Sequence, residues 1–402
     1  MSADDALARI LGAVPVLPAT DTPLLDALGL VLAEDTVADR DVPPFRNSAM
    51  DGYAVRGDDV QTVPATLRVV GQVAAGGTPE RAVGRGEAMR IMTGAPMPEG
   101  ADTVVRVEDT DNRDDAVTIK AATPKGLSVR QAGEDLRAGE TILRRGTLLR
   151  PAEIGLLASV GGKSVRVHKR PRVAVLSTGD EVVEIDAPLG RGQIRDANRY
   201  SLASAVRATG CEPWVRGIVR DTPDALRAAL REASAADVIV TSGGVSVGDH
   251  DHVKPVLSEL GTIDFWAIAI RPGRPLAFGE LRDGPRRVPI FGLPGNTVSS
   301  LLTFEIFVRP GLLRMQGRAH VMRPRAKARL AEPVEKVASL RFFARGIHDP
   351  EAGTVRTTGP QGSGILRSMS LANCLIDLPE GRSHYDAGEV VDVILTEQAE
   401  PR

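Results

Sequence analysis

Apolar and polar positions change their period several times along this chain, and each change marks a different piece of structure. In the first forty residues the spacing is helical: Thr22 caps a segment with Pro23 at its first position, and Leu24, Leu25 and Leu28 fall on one face. From Val42 to about Lys125 short β-like runs take over, among them Ala65–Val73, Ala101–Val107 and Ala116–Ala121, separated by GG, TP, GAP and MPEG turns. Helical spacing returns in Pro151–Ser159, with Ile154, Leu157 and Ala158 on one side. The flanks of the β-rich piece are therefore expected to pack together.

From Arg172 apolar strands alternate with amphipathic helices. Val173–Leu176 predicts a strand, Asn198–Thr209 a helix and Pro213–Val219 a strand, and Thr222-Pro223 opens a helix running to about Ser234. Val238–Val240, His252–Leu260, Ile263–Ile270, Val288–Phe291 and Val298–Leu313 continue the alternation. Repeated units of this kind imply an α/β fold, a mainly parallel, doubly wound sheet with helices on both faces. After Gly317, Arg323, Arg325, Lys327 and Arg329 alternate with apolar or small residues, which predicts a strand with one solvated face rather than a basic tail. The remainder, through Val390–Leu395, reads as a small all-β domain.

Composition narrows the function. The 402 residues predict two to four domains, and 50 basic against 52 acidic residues give a net charge of −2. That balance supports neither a nucleic-acid partner nor a membrane surface. The N-terminus, MSADDALARILGAV, is acidic where a secretory signal is basic, and no apolar run approaches the ~18 residues of a membrane span, so a soluble, cytoplasmic protein is expected. The two cysteines, Cys211 and Cys374, form no CxxC pair, and the six histidines offer no second cluster to join His250 and His252 in a zinc site.

In an open α/β sheet, ligands gather beyond the carboxyl ends of the strands, so the loops there are the first place to look for chemistry. Three are informative: Ser177-Thr178-Gly179-Asp180-Glu181, Thr241–Gly248, and Gly292-Leu293-Pro294-Gly295-Asn296. Gly243 and Gly244 let backbone approach a ligand, and neighbouring hydroxyls and N–H groups suit anionic oxygens, although the same glycines also suit a plain tight turn. Asp180, Glu181, Asp249 and Asp251 are candidates to hold Mg²⁺ bridging phosphate oxygens. Asp221-Thr222-Pro223 reads first as a helix start, with Asp or Thr as the cap. Arg271 and Arg274 offer two guanidiniums to an oxyanion, or form a solvated basic turn. Gly162-Lys163-Ser164 imitates the end of a P-loop without its first glycine, and Gly190–Arg195 lacks the last glycine of a dinucleotide fingerprint.

Six blocks together resemble the MoeA-type molybdopterin molybdenumtransferase family, which is similar to the E domain of gephyrin. They are Pro43–Val55, Met92–Pro96, Ser177–Glu181, Thr241–Gly248, Gly292–Asn296 and Ser370–Cys374. The resemblance implies an elongated homodimer with four parts per subunit. With the pattern above, these are a discontinuous helical domain over 1–42 and 136–169, a β-rich inserted domain over 43–135, a molybdopterin-binding α/β domain over 170–318, and a C-terminal β-barrel-like domain over 319–402. It also implies insertion of molybdate into adenylylated molybdopterin, with Mg²⁺-dependent release of AMP, and leaves a molybdopterin adenylyltransferase and molybdoenzyme-delivery proteins as possible partners.

Carried over by motif, Asp51, Thr93, Glu181, Asp221 and Asp251 are expected to matter for catalysis, Asp51 and Thr93 facing the α/β domain of the other subunit. Glu181 and Asp251 would hold Mg²⁺. Gly179, Asp180, Ser242, Gly243, Gly244, Ser246, Pro294, Gly295 and Asn296 would bind pterin phosphate or adenylate, and Arg271, Arg274, Ser299 and Ser363 molybdate. The chain departs from the family in having Arg271 and Arg274 for lysines, Ala267 for a lysine and Thr297 for a proline. The alternative is a divergent paralogue that carries molybdopterin or its molybdenum cofactor without efficient metal insertion.

Overall fold

The computed structural model describes residues 1–243 and 253–396. Its centre is a six-stranded sheet in the order Glu212–Val219, Arg172–Thr178, Val238–Ser242, Arg286–Leu293, Pro275–Asp283, Gly261–Ala267. The first four strands are parallel, Pro275–Asp283 pairs antiparallel with Arg286–Leu293, and Gly261–Ala267 pairs antiparallel with Pro275–Asp283 in turn. Pro275–Asp283 has no counterpart in the sequence reading. Its charged Glu280, Arg282 and Asp283 blur the apolar run that marked the other strands.

Both faces of this sheet are covered, which explains why its strands read as near-continuous apolar runs. Along Arg172–Thr178, Val173 and Val175 join one core with Phe291, Leu293 and Phe307, while Ala174 and Leu176 join a second with Leu226, Leu230 and Leu257. The helix Pro223–Ala233 supplies Leu226, Leu230 and Ala233 from one face, and Thr222 caps it by accepting from the Ala225 N–H at 3.4 Å. The expected Val298–Leu313 helix is continuous from Thr297 to Met315, with one π-turn over Phe304–Val308 just before Pro310.

The N-terminal region is less helical than its periodicity predicts. Helix Ala3–Ala13 is real, but it buries Ala3, Ala6 and Ile10 against the α/β sheet rather than in a helical layer of its own. Ala19–Pro23 is a strand, and Leu24–Ala27 forms only one 3₁₀ turn. Ala19–Pro23, Ser164–His168 and Val31–Leu32 pair into a three-stranded sheet, and helix Pro151–Ser159 packs on it through Leu157. The flanking segments do come together, as strands more than as helices. Gly162-Lys163-Ser164 is the turn and strand start after that helix.

Between the flanks lies a five-stranded sheet in the order Thr103–Arg106, Gly52–Val55, Glu87–Ile91, Ala65–Val73, Ala116–Ile119. At the C-terminal end, Arg341–Asp349 pairs with Thr354–Thr357, then Arg325–Leu330, Val390–Leu395 and Cys374–Leu378 follow, and the last pairs back with Arg341–Asp349. This closed five-stranded barrel leaves no free edge. Ile270–Arg271 pairs in parallel with Arg341 and Phe342, so a loop of the α/β domain is stitched to the barrel. Among the described residues no helix is long and apolar enough to cross a membrane.

Candidate active site

Strand Arg172–Thr178 is followed in sequence by a neighbour on one side, Glu212–Val219, and then by one on the other, Val238–Ser242. The chain reverses its winding at that point, and the loops leaving two adjacent carboxyl ends diverge to leave a crevice. A cleft of about 340 Å³ lies there. Its walls carry Gly179, Glu181, Asp221, Ser242, Gly243, Pro294, Gly295, Asn296 and Ser299 of the expected site. Asp180 is adjacent and accepts the Asp221 N–H at 3.3 Å. Gly244, Ser246 and Asp251, with Asp249, His250 and His252, lie outside the described residues.

Close backbone approach shapes this cleft. Gly243 has φ +92°, and a Cβ on it would stand 2.6 Å from the Thr178 carbonyl oxygen. Gly295 meets nothing nearer than the Gly243 Cα at 3.9 Å, so two side-chain-free residues oppose each other across the opening. Such surfaces admit phosphate oxygens to main-chain donors.

Asp221 is not the helix cap, because Thr222 takes that position. Asp221 is left lining the cleft with Oδ1 buried and without a partner among the described residues. Asn198 Oδ1 and Thr297 Oγ1, also from cleft-lining residues, are buried without a hydrogen-bond partner among the described residues as well. Buried polar atoms are normally satisfied, so three such atoms around one cleft point to a polar ligand.

Asp196 and Asn198 escaped the sequence reading, which began the helix at Asn198. Asp196 caps helix Ala197–Ala208 by accepting from the Arg199 N–H at 3.0 Å, and accepts from Ser177 Oγ at 3.0 Å. The buried Arg199 pairs with Asp196 at 3.1 Å and with Glu184, holding the Glu184 carboxyl below its ordinary range and fastening the cleft-side loop to the helix. An Asp just before a helix that follows a strand and loop was the available signal.

The arginine pair lies beside the cleft rather than in its walls. Gly273, at φ +98°, brings the turn against helix Thr297–Thr303, where an added Cβ would meet Thr303 Oγ1 at 2.5 Å and the Ser299 carbonyl at 3.4 Å. Arg271 stacks over Phe342 at 5.3 Å, and both arginines are exposed. Ser363 touches the same helix through its carbonyl, which accepts the Val298 N–H at 3.1 Å. Behind them is Arg345, wholly buried, donating to Ser368 Oγ at 3.0 Å and to the Gly362 carbonyl at 3.1 Å, with Nη1 unpartnered among the described residues. Burial, and then the Arg271 charge, bring Arg345 down to about 10. Two cations this close favour an anion beside them. Nothing in the strand sequence around Arg345 announced it.

Asp51 and Thr93 meet each other but not this cleft. Asp51 Oδ1 accepts from the Thr93 N–H at 2.6 Å and its hydroxyl at 2.7 Å, on the exposed surface of the inserted domain. These two bonds hold the Asp51 carboxyl below its usual range. No group of three or more His, Cys, Asp or Glu side chains gathers for a metal among the described residues. Cys211 and Cys374 are buried thiols pushed up to about 12 by burial, which makes them inert.

Comparison with known proteins agrees with this architecture. Residues 1–161 match the model of the MoeA N-terminal region (domain I and II), 174–314 that of a probable molybdopterin binding domain, and 327–396 that of the MoeA C-terminal region (domain IV). The molybdopterin molybdenumtransferase of Haemophilus influenzae is 38% identical over 400 residues, covering 98% of both chains. Molybdopterin molybdenumtransferase 1 of Mycobacterium tuberculosis is 36% identical, covering 99% of both. A crystal structure of a molybdopterin biosynthesis MoeA protein from Pyrococcus horikoshii superposes with a TM-score of 0.82 at 34% identity, over 99% of this chain and 100% of that one. With relatives this similar along its full length, and with the cleft at the switch point of the domain that matches the molybdopterin-binding model, this chain belongs to the MoeA family of molybdopterin molybdenumtransferases.

Proposed function

We propose that this protein inserts molybdate into adenylylated molybdopterin and releases AMP, yielding molybdenum cofactor. Molybdenum transfer to molybdopterin is the activity in the names of its full-length relatives. The observation that carries the finer reading is the cleft itself, glycine-floored and ringed by three buried polar atoms that have no partner among the described residues. Ser242, Gly243 and the Pro294–Asn296 turn hold the phosphate-bearing end of the pterin by main-chain and hydroxyl donors. Arg271 and Arg274, backed by Arg345 and flanked by Ser299 and Ser363, draw molybdate to the side where barrel and α/β domain meet. The protein's contribution is to position the two substrates and compensate their charge.

The carboxylates of Glu181 and Asp221 are hard oxygen donors lining the cleft, and Asp221 Oδ1 has no partner among the described residues. That donor set fits Mg²⁺, which is held by one or two carboxylates together with substrate phosphates and would neutralise phosphate charge there. The active form is a homodimer in which the Asp51–Thr93 clamp of one subunit faces the cleft of its partner.

Single-turnover formation of molybdenum cofactor from adenylylated molybdopterin, with and without Mg²⁺ and at low and high molybdate, tests the proposal. AMP release with cofactor formed at low molybdate is expected, and both should fail without Mg²⁺. Ala267 lies exposed at the end of strand Gly261–Ala267 and supplies no cation there, which favours a carrier as the second reading. Tight pterin binding with no AMP release under any condition would establish that reading instead.

A further inference from the structure

The amide of Asn198 is held by acceptors on two different loops. Its Nδ2 donates to Ser242 Oγ at 2.7 Å and to the Gly295 carbonyl at 2.7 Å. A carbonyl oxygen only accepts, so the Gly295 contact fixes which end of the amide is the nitrogen. The bond to Ser242 therefore runs from amide to hydroxyl, and Ser242 keeps its own proton to give. Among the described residues the acceptor for that proton is the Pro294 carbonyl, at 3.5 Å, too long for a good hydrogen bond. Ser242 is 2% exposed and lines the cleft beside Gly243. A hydroxyl that is already accepting one hydrogen bond is also a stronger donor for the next.

We infer that Asn198 is a positioning residue that fixes the polarity of the Ser242 hydroxyl, so that Ser242 donates to the phosphate of the bound ligand. The inference rests on the molybdopterin reading of the cleft. An aspartate at 198 would invert the arrangement. Its carboxylate cannot donate to Ser242 Oγ, accepts a hydrogen bond from the serine hydroxyl instead, and leaves lone pairs and a negative charge toward the phosphate. An alanine would simply release the hydroxyl to rotate.

The test is calorimetric titration of the full chain with molybdopterin and with its dephosphorylated form, for the wild type, Asn198→Ala and Asn198→Asp. The ratio of the two affinities does not depend on how much of a variant is folded. Molybdopterin is expected to bind about tenfold more weakly to Asn198→Ala and about a hundredfold more weakly to Asn198→Asp, the scale of losing and then reversing a charge-assisted hydrogen bond. The dephosphorylated ligand should change by less than about threefold, because it lacks the group being positioned. Equal losses for both ligands, unchanged binding, or Asn198→Asp no worse than Asn198→Ala would overturn the inference while leaving the transferase reading intact. Failure of the wild type to bind molybdopterin would overturn both.

Discussion

Single residues in this protein have consequences that a few tenths of an ångström decide. Gly243 sits at φ +92° with its missing Cβ aimed at the Thr178 carbonyl, whereas a Cβ on Gly295, on the same cleft, would make only an ordinary contact with the Gly243 Cα at 3.9 Å. Gly243→Ala should lose about 1–3 kcal/mol of stability through backbone strain and contact, read from a urea midpoint, and should abolish pterin binding. Gly295→Ala should stay within about 0.5 kcal/mol of the wild type. Both glycines were legible as a class, since glycine after a strand signals close approach; which of the two is indispensable was not. Asp51 gives a pH expectation. Its folded value is depressed below the ordinary 3.8 by the Thr93 donors, so the clamp is complete above that pH and is lost only as pH falls through the lower folded value. Removing the hydroxyl in Thr93→Val should bring the Asp51 carboxyl back up toward 3.8, a shift visible by carbon-13 NMR titration.

At the scale of elements, caps and strands were both read unevenly: Thr22 lies in a strand and caps no helix. Thr222 and Pro223 start their helix as expected, and Pro151–Ser159 forms where its spacing put it. The latter helix carries a cap that pattern alone did not show: the Glu153 carboxylate accepts the Arg150 main-chain N–H at 2.9 Å and its guanidinium at 2.6 Å. The Arg150 side chain above all holds Glu153 down, from 4.5 to about 2. A depressed carboxylate contributes stability that is present above pH 4.5 and disappears as pH falls toward 2. The melting temperatures of wild type and Glu153→Gln should therefore differ at neutral pH and converge near pH 2, as checked by circular dichroism. Helix Ala3–Ala13 illustrates the opposite case. Its periodicity shows an apolar face, but nothing in eleven residues says that the face belongs to a sheet more than 150 residues away.

For the whole molecule, the decisive feature is separation: the Asp51–Thr93 clamp does not line the α/β cleft of its own chain. If each cleft is completed by the partner subunit, two inactive variants should rescue each other. Asp51→Ala and Asp221→Ala are each expected to be inactive as homodimers. Unfolded and refolded together, they should recover about a quarter of wild-type turnover, because half the dimers are mixed and each mixed dimer has one intact site. No recovery in mixtures shown by mass spectrometry to contain heterodimers would rule out completion across the interface.

The sequence alone determined the parts whose information is local. Strand period, helix caps and glycines after strands are set by the conformational limits of a few neighbouring residues, so the parallel strands and their loops could be read directly. Tertiary structure decided what depends on residues distant in the chain. It added strand Pro275–Asp283, whose place comes from antiparallel pairing on both sides rather than from its own apolar content. It closed the C-terminal strands into a barrel and stitched Ile270–Arg271 to it. It also buried Arg345 behind Arg271, freed Asp221 from capping and tied Asn198 to Ser242 and Gly295. Contacts of that kind leave no period in a sequence, because the free energy that selects them comes from burial and hydrogen bonding between segments that the chain brings together only on folding.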